Sequence, residues 1–216
     1  MKKGNSKVIT EKMIKTFSLL RHKIIFEAPT ISDFMIRWPA LFNAAQINEE
    51  FKRVTIVSLE STFMAKLDQC APQIMTLTQS KGGAAGLKIK CIKDRLLENN
   101  TADVRGEAAN RCLVVYLGEK EEDLFVEYNL ESNLAKEVMK IAIIGGSATI
   151  VVEGTKVLEG MDVPRSCALL MGVIYALNLS YPKQLKYTFE VFQKLFLDLD
   201  GQKASSKVMR LKCSIF

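Results

Sequence analysis

The chain has 216 residues, of which 48% are hydrophobic and 25% charged, and a formal net charge of +6. That is length enough for one large domain or two small ones with a real core, and the composition excludes an intrinsically disordered chain. The opening residues lack the apolar core of a secretory signal, and no stretch reaches the roughly 20 apolar residues of a membrane span, so an intracellular protein, cytoplasmic or nuclear and without a membrane partner, is expected.

In chain order, residues 1–9 are expected to be disordered, and residues 10–216 to form a single mixed domain with a candidate sub-boundary near residue 101. Met13, Phe17, Leu20 and Ile24 recur at helical spacing and predict a first helix from Thr10 to Phe26. Ala28-Pro29 is its stop, because the residue before proline is biased away from helix. Trp38, the single tryptophan, lies between Phe34 and Phe42. A core plug with a hydrogen-bonded indole N–H is the favoured account of this cluster, and an exposed partner anchor is the alternative. Asn43–Arg53 predicts a short helix. Leu59, Phe63, Leu67, Cys70, Ile74 and Leu77 mark a long one, with Ser58 as its cap and Pro72 expected to kink or divide it. Lys81–Gly86 reads as a loop. Its glycines lack the GK[ST] ending and preceding strand of a phosphate loop, which excludes nucleotide binding there. Leu87–Asn100 predicts another helix with a basic side.

The texture changes near Thr101. Cys112–Leu117 is β-branched and bounded by Gly118, which predicts a strand or a buried extended segment. Glu119–Tyr128 is expected to form a short acidic helix carrying Leu124 and Phe125. Its consecutive acids do not have the spacing of a calcium loop. Lys140–Ile144, Ala148–Glu153 and Lys156–Leu158 are separated by Gly145-Gly146 and Gly154-Thr155, which predicts a small antiparallel meander. Asp162 then caps a helix that is uncharged from Cys167 to Leu177, with Pro164 in its first turn, and a helix apolar on every side belongs inside a core. Asn178–Pro182 breaks it, with Ser180 or Tyr181 as the next cap. Leu185, Phe189, Phe192, Phe196 and Leu199 predict an amphipathic partner helix, whose stripe is read as ordinary core packing rather than a groove. Lys207–Ile215 predicts a last short helix. The fold class is therefore α+β and helix-dominated: a helical N-terminal half, a small antiparallel β-meander and a C-terminal helical hairpin.

Residues 1–27 hold seven Lys or Arg against two acids, and the stretch from Glu98 to Glu137 is acidic. Lys12, Lys15, Arg21 and Lys23 on the first helix, and Lys88, Lys90, Lys93 and Arg95 on the 88–95 face, are the candidate polyanion contacts. A solvated surface is the favoured account, because no aromatic residues interleave with the basic ones. The five cysteines form no CxxC pair, so zinc and redox spacings are absent. His22 is the single histidine, which nearly excludes a His-based triad or a multi-histidine metal site. No cofactor, no metal site and no catalytic residue is assigned.

At Arg37–Phe42 (RWPALF), and more strongly at Val151–Pro164 (VVEGTKVLEGMDVP) and Tyr175–Leu199 (YALNLSYPKQLKYTFEVFQKLFLDL), the chain resembles a multicopy vertebrate family whose members are labelled as similar to sterile alpha motif domain-containing protein 3. The resemblance runs from about Lys12 to Phe216. It corresponds to the C-terminal region of longer family proteins, and the sterile alpha motif itself is not found here. It implies a family module and carries over no activity, cofactor or site residue. The residues point first to a non-enzymatic protein-interaction or scaffolding module of a larger intracellular protein, with Trp38, Phe42, Tyr181 and Tyr187 as its candidate surface. A nucleic-acid-binding module using the two basic faces is the second reading, and an enzyme of unrecognised type the third.

Overall fold

Side-chain oxygens placed just ahead of apolar runs set five of the helix starts. Thr30, Asn43, Thr101, Asp162 and Ser205 each accept a backbone N–H from the first turn that follows, at 2.7–3.4 Å. The computed structural model describes residues 3–96, 101–128, 134–200 and 203–216. Its helices are α1 (Lys3–Lys15), α2 (Phe17–Phe26), α3 (Ile31–Arg37), α4 (Ala44–Thr55), α5 (Leu59–Leu77), α6 (Gly83–Leu96), α7 (Ala102–Tyr116), α8 (Val163–Ala176), α9 (Lys186–Val191) and α10 (Ser206–Ile215). Strands β1 (Phe125–Tyr128), β2 (Met139–Ile144), β3 (Ser147–Val152) and β4 (Thr155–Met161) lie between α7 and α8.

α8 is the centre. Asp162 Oδ1 accepts from the Arg165 amide at 2.7 Å, Pro164 sits in the first turn, and almost every residue of the helix is buried. Helices α4, α5 and α7 pack on it, and β2 and β3 cover another side. Gly172 allows the closest approach, since a Cβ there would lie 2.4 Å from Ile47 Cγ2 and 2.5 Å from Leu59 Cδ2. One buried cluster takes residues from Met13 to Ile215.

The α+β, helix-dominated class holds, with several corrections. The expected first helix is two, because the backbone at Thr16 leaves helical geometry and the Thr16 hydroxyl turns back to the Lys12 carbonyl at 2.9 Å. α1 begins at Lys3, inside the stretch expected to be disordered. α5 runs through Pro72 undivided. Both Pro72 and Asp68, whose carbonyl loses its helical donor there, are exposed, so water can satisfy that carbonyl. The glycine loop is shorter than expected because α6 starts at Gly83. Gly86 is needed there, since a Cβ would meet the Lys81 carbonyl oxygen at 2.2 Å. The tail of the predicted helix, 97–100, lies outside the described residues.

Cys112–Leu117 is not a strand. Residues 112–116 end α7, and Cys112, Leu113, Val114 and Val115 are all buried. The helix propensity lost at two valines is only about 0.5 kcal/mol each, which burial on every side overrides. Glu119–Tyr128 is likewise not a helix but a 3₁₀ turn at Glu121–Asp123 followed by β1. The sheet order is β1-β2-β3-β4. β2, β3 and β4 form the expected antiparallel meander, turning at Gly145-Gly146 and Glu153-Gly154. β1 pairs with β2 in parallel, Phe125 opposite Ile141, so the sheet is mixed rather than antiparallel throughout. The helical hairpin is present, but its second arm starts late. After Asn178, left-handed at φ +53°, and a 3₁₀ turn at Lys183–Leu185, α9 begins at Lys186. Neither Ser180 nor Tyr181 caps it. The Glu119 carboxylate does so from across the fold, accepting the Tyr187 and Thr188 amides at 2.7 and 2.9 Å. A π-helical turn, Phe192–Phe196, continues α9 and lays Phe192 and Phe196 against Phe63, each 5.2 Å between ring centroids.

Candidate interaction surface

The four aromatic candidates are half-buried and packed against the main core. Trp38 and Phe42 flank Phe34, with ring centroids 6.4 and 6.2 Å away. Among the described residues the buried Trp38 indole N–H finds no acceptor, contrary to the hydrogen bond expected of a core plug. Tyr181 stacks on Phe189 at 5.1 Å. Burial, with the neighbouring Tyr175, pushes its phenol well above the ordinary tyrosine range. Tyr187 faces the Lys207 ammonium at 4.3 Å. Among the described residues no ring contact joins the Trp38–Phe42 pair to either tyrosine, and all four rings serve internal packing.

The basic candidates separate into two groups. Lys12 and Lys15 on α1 are exposed. The other six already have partners. The Arg21 guanidinium donates to the Tyr175 and Ala176 carbonyls at the C-terminus of α8, at 3.2 and 3.0 Å, where the helix dipole favours a cation. Lys23 pairs with Glu27, Lys90 with Asp94, Lys88 with Glu122 and Arg95 with Glu127, while Lys93 donates to the Met75 carbonyl. The acidic stretch after α7 thus folds onto the 88–95 face and offsets its charge. Glu127 also meets the buried Arg111, which Glu107 and Glu121 reach as well, at 2.8 to 3.5 Å. Arg111 therefore ties α7 to the 3₁₀ turn and β1. Its guanidinium lies 5.0 Å from the Phe125 ring.

Two features lay beyond the sequence reading. The first is apolar surface on α1 and α2. Leu20 and Ile24 point inward, but Val8, Ile14, Leu19, Ile25 and Phe26 are exposed, Phe26 at 73%. Leu19, His22 and Phe26 share one face of α2 at i, i+3, i+7, and the His22 and Phe26 rings touch at 4.7 Å. A signal for this was available. LL at 19–20 and IIF at 24–26 carry more apolar residues than one inward stripe of a ten-residue helix can bury.

The second feature is a cleft of about 430 Å³ between α5, the π turn and α10. Lys66, Lys194 and Lys212 stand around it with Asp198 and the exposed Phe216 ring. Among the described residues, no group of His, Cys, Asp and Glu is placed to hold a metal ion, and no helix is long and apolar enough to cross a membrane.

Against this geometry, residues 1–43 match the family model described as sterile alpha motif domain-containing protein 3, helical domain. The chain is similar to that family over this segment. The matched residues contain Arg37–Phe42, the first motif on which the resemblance rests, and all five of the exposed apolar residues on α1 and α2. No curated protein and no solved structure matches the chain.

Proposed function

We propose that the chain is a non-enzymatic protein-interaction module of a larger intracellular protein, docking through the outer face of α1 and α2. The observation that carries this is the exposed set Val8, Ile14, Leu19, Ile25 and Phe26, concentrated in the segment that matches the family's helical domain. Exposed apolar surface rimmed by polar residues marks interaction sites where it is contiguous, as the shared face of Leu19 and Phe26 on α2 allows, and covering a side chain such as Phe26 is worth about 1.5–3 kcal/mol. A helix with an apolar face is the partner that such a surface accepts. Nucleic acid remains the second reading because Lys12 and Lys15 are exposed beside this face and make no ion pair among the described residues.

The test is a pull-down with the tagged chain, with and without nuclease, alongside Leu19→Asp and Phe26→Asp variants. Partners that survive nuclease and disappear with either variant are expected. Both residues are exposed, so thermal stability should stay unchanged. Partners lost with nuclease move the nucleic-acid reading to first place, and partners indifferent to both variants refute the α1–α2 face.

A further inference from the structure

We propose that the cleft between α5, the π turn and α10 binds an acidic peptide segment, its carboxylates on Lys66 and Lys212 and its apolar side chain against Phe216. The site is independent of the α1–α2 face. Three ammonium groups line the cleft, those of Lys66, Lys194 and Lys212, against one side-chain carboxylate, that of Asp198. Lys194 is already engaged by Glu190 and the Lys203 carbonyl. Among the described residues Lys66 and Lys212 pair with no acid. Lys66 donates to the Gln69 side-chain oxygen at 3.0 Å and lies over the Phe216 ring at 4.5 Å. Lys212 is half-buried beside that ring. The cleft therefore presents two ammonium groups, Lys66 and Lys212, that pair with no acid among the described residues, next to an exposed apolar surface, the complement of an acidic segment carrying an apolar residue.

The ligand class follows from the rest of the wall. Asp198 offers a hydrogen-bond acceptor, which a peptide N–H can use and a phosphodiester, having no donor, cannot. The wall also includes Lys212 and Phe216, at the C-terminal end of α10. Its lining has no arginine, the residue suited to bidentate phosphate contacts. A volume of about 430 Å³ suits a few side chains rather than a docked helix. The π turn forms part of the wall. Such turns are frequent at functional sites, because the extra residue re-aims the side chains after it.

The probe is a fluorescein-labelled short peptide of Asp and Glu flanking a Leu-Phe pair, titrated with the full chain and followed by anisotropy. Saturable binding is expected, weakened about ten-fold or more by Lys212→Glu. Lys66→Glu should do the same, and Lys212→Glu, at a site making no ion pair, guards against a folding artefact. Lys12→Glu, on α1, should leave the affinity within about two-fold, since a distant exposed charge is screened. Absence of saturable binding overturns the proposal. So does equal weakening by Lys12→Glu, which would show general charge attraction, or tighter binding of a single-stranded oligonucleotide at the same site. Leu19→Asp should have no effect here, so failure of the cleft and failure of the α1–α2 face are read separately.

Discussion

Gly172 offers the sharpest test of how the core is packed. A β-carbon at this position would sit 2.4 Å from Ile47 Cγ2 and 2.5 Å from Leu59 Cδ2. Carbons in contact lie at about 3.5–4.0 Å, so both neighbours would have to retreat by roughly 1 Å. Neither has room, because Ile47 is 0% and Leu59 1% exposed, and a β-branched isoleucine is stiff at χ1. Gly172→Ala should gain about 0.5–1 kcal/mol from reduced backbone freedom in a helix. It should lose about 1–3 kcal/mol to overpacking. The expected net loss is about 1 kcal/mol, read as a urea midpoint lowered by roughly 0.5 M with an unchanged slope. Leu59→Ala removes the Cδ2 that obstructs the new methyl, so the double variant should cost less than the sum of the two. Gly82→Ala, with nothing within 4 Å of its Cβ, should fall within about 0.5 kcal/mol of the parent. A midpoint for Gly172→Ala equal to or above the parent's would refute the close crossing of α4, α5 and α8.

Two further outcomes follow from buried groups. Burial alone would raise the Glu190 carboxyl, but hydrogen bonds from the Ser205 hydroxyl and amide and from Lys194 outweigh it and hold the group below its ordinary 4.5. The unfolded chain therefore binds the proton more readily. Glu190 contributes stability that is complete above the ordinary carboxylate range and is lost as pH falls through the lowered value. Glu190→Gln should cost about 1.5–3 kcal/mol near neutral pH and progressively less in acid, measured by urea titration across pH, and a gap that does not narrow in acid would count against this network. Burial raises the Cys112 thiol to about 11 and the Cys167 thiol further, and Cys70 is buried as well, whereas Cys91 and Cys213 are exposed. Ellman's reagent should modify only Cys91 and Cys213 in the native protein, the other three reacting on unfolding, and rapid native labelling of Cys112 or Cys167, mapped by mass spectrometry, would contradict the packing.

What was legible in the sequence was local. Asp162, Pro164 and the uncharged run after them define α8 because capping, first-turn proline and burial all act within one helix. Gly145-Gly146 and Gly154 defined the β2–β3–β4 meander because tight turns need residues that accept positive φ, and these glycines have it. What was misread depends on distant partners. β1 is a four-residue strand that pairs with β2 in parallel, and nothing within Phe125–Tyr128 specifies that. The valines of α7 suit strand and helix alike until α6 and α8 close over them. The 88–95 lysines read as a basic face because Glu122 and Glu127, which answer Lys88 and Arg95, come some thirty residues later. The α1–α2 surface was half-visible. Period counting identified Leu20 and Ile24 and passed over the surplus at Leu19, Ile25 and Phe26.

Of the three stretches on which the family resemblance rests, the first lies in the matched segment, and the fold brings the other two, more than a hundred residues later, against that segment. Arg21 of α2 holds the Tyr175 and Ala176 carbonyls, where the third stretch begins. The Ile31 amide, at the start of α3, donates to Glu153 Oε2 of the second stretch at 3.1 Å. Glu153 adopts φ +49° in the β3–β4 turn, an arrangement that ordinarily costs a non-glycine residue about 1 kcal/mol and here accompanies the bond that caps α3. Leu20, Ile24, Ile31, Phe34 and Leu41 belong to the same buried cluster as α8. The matched segment from Met13 onward is thus built into the rest of the fold, with one side of α2 fixed to the C-terminus of α8 and the other left apolar and open. A partner covering Leu19 and Phe26 would press on the helix that carries Arg21. Occupancy of that face should therefore be felt at the C-terminus of the central helix, where a freestanding helical pair would have no such connection.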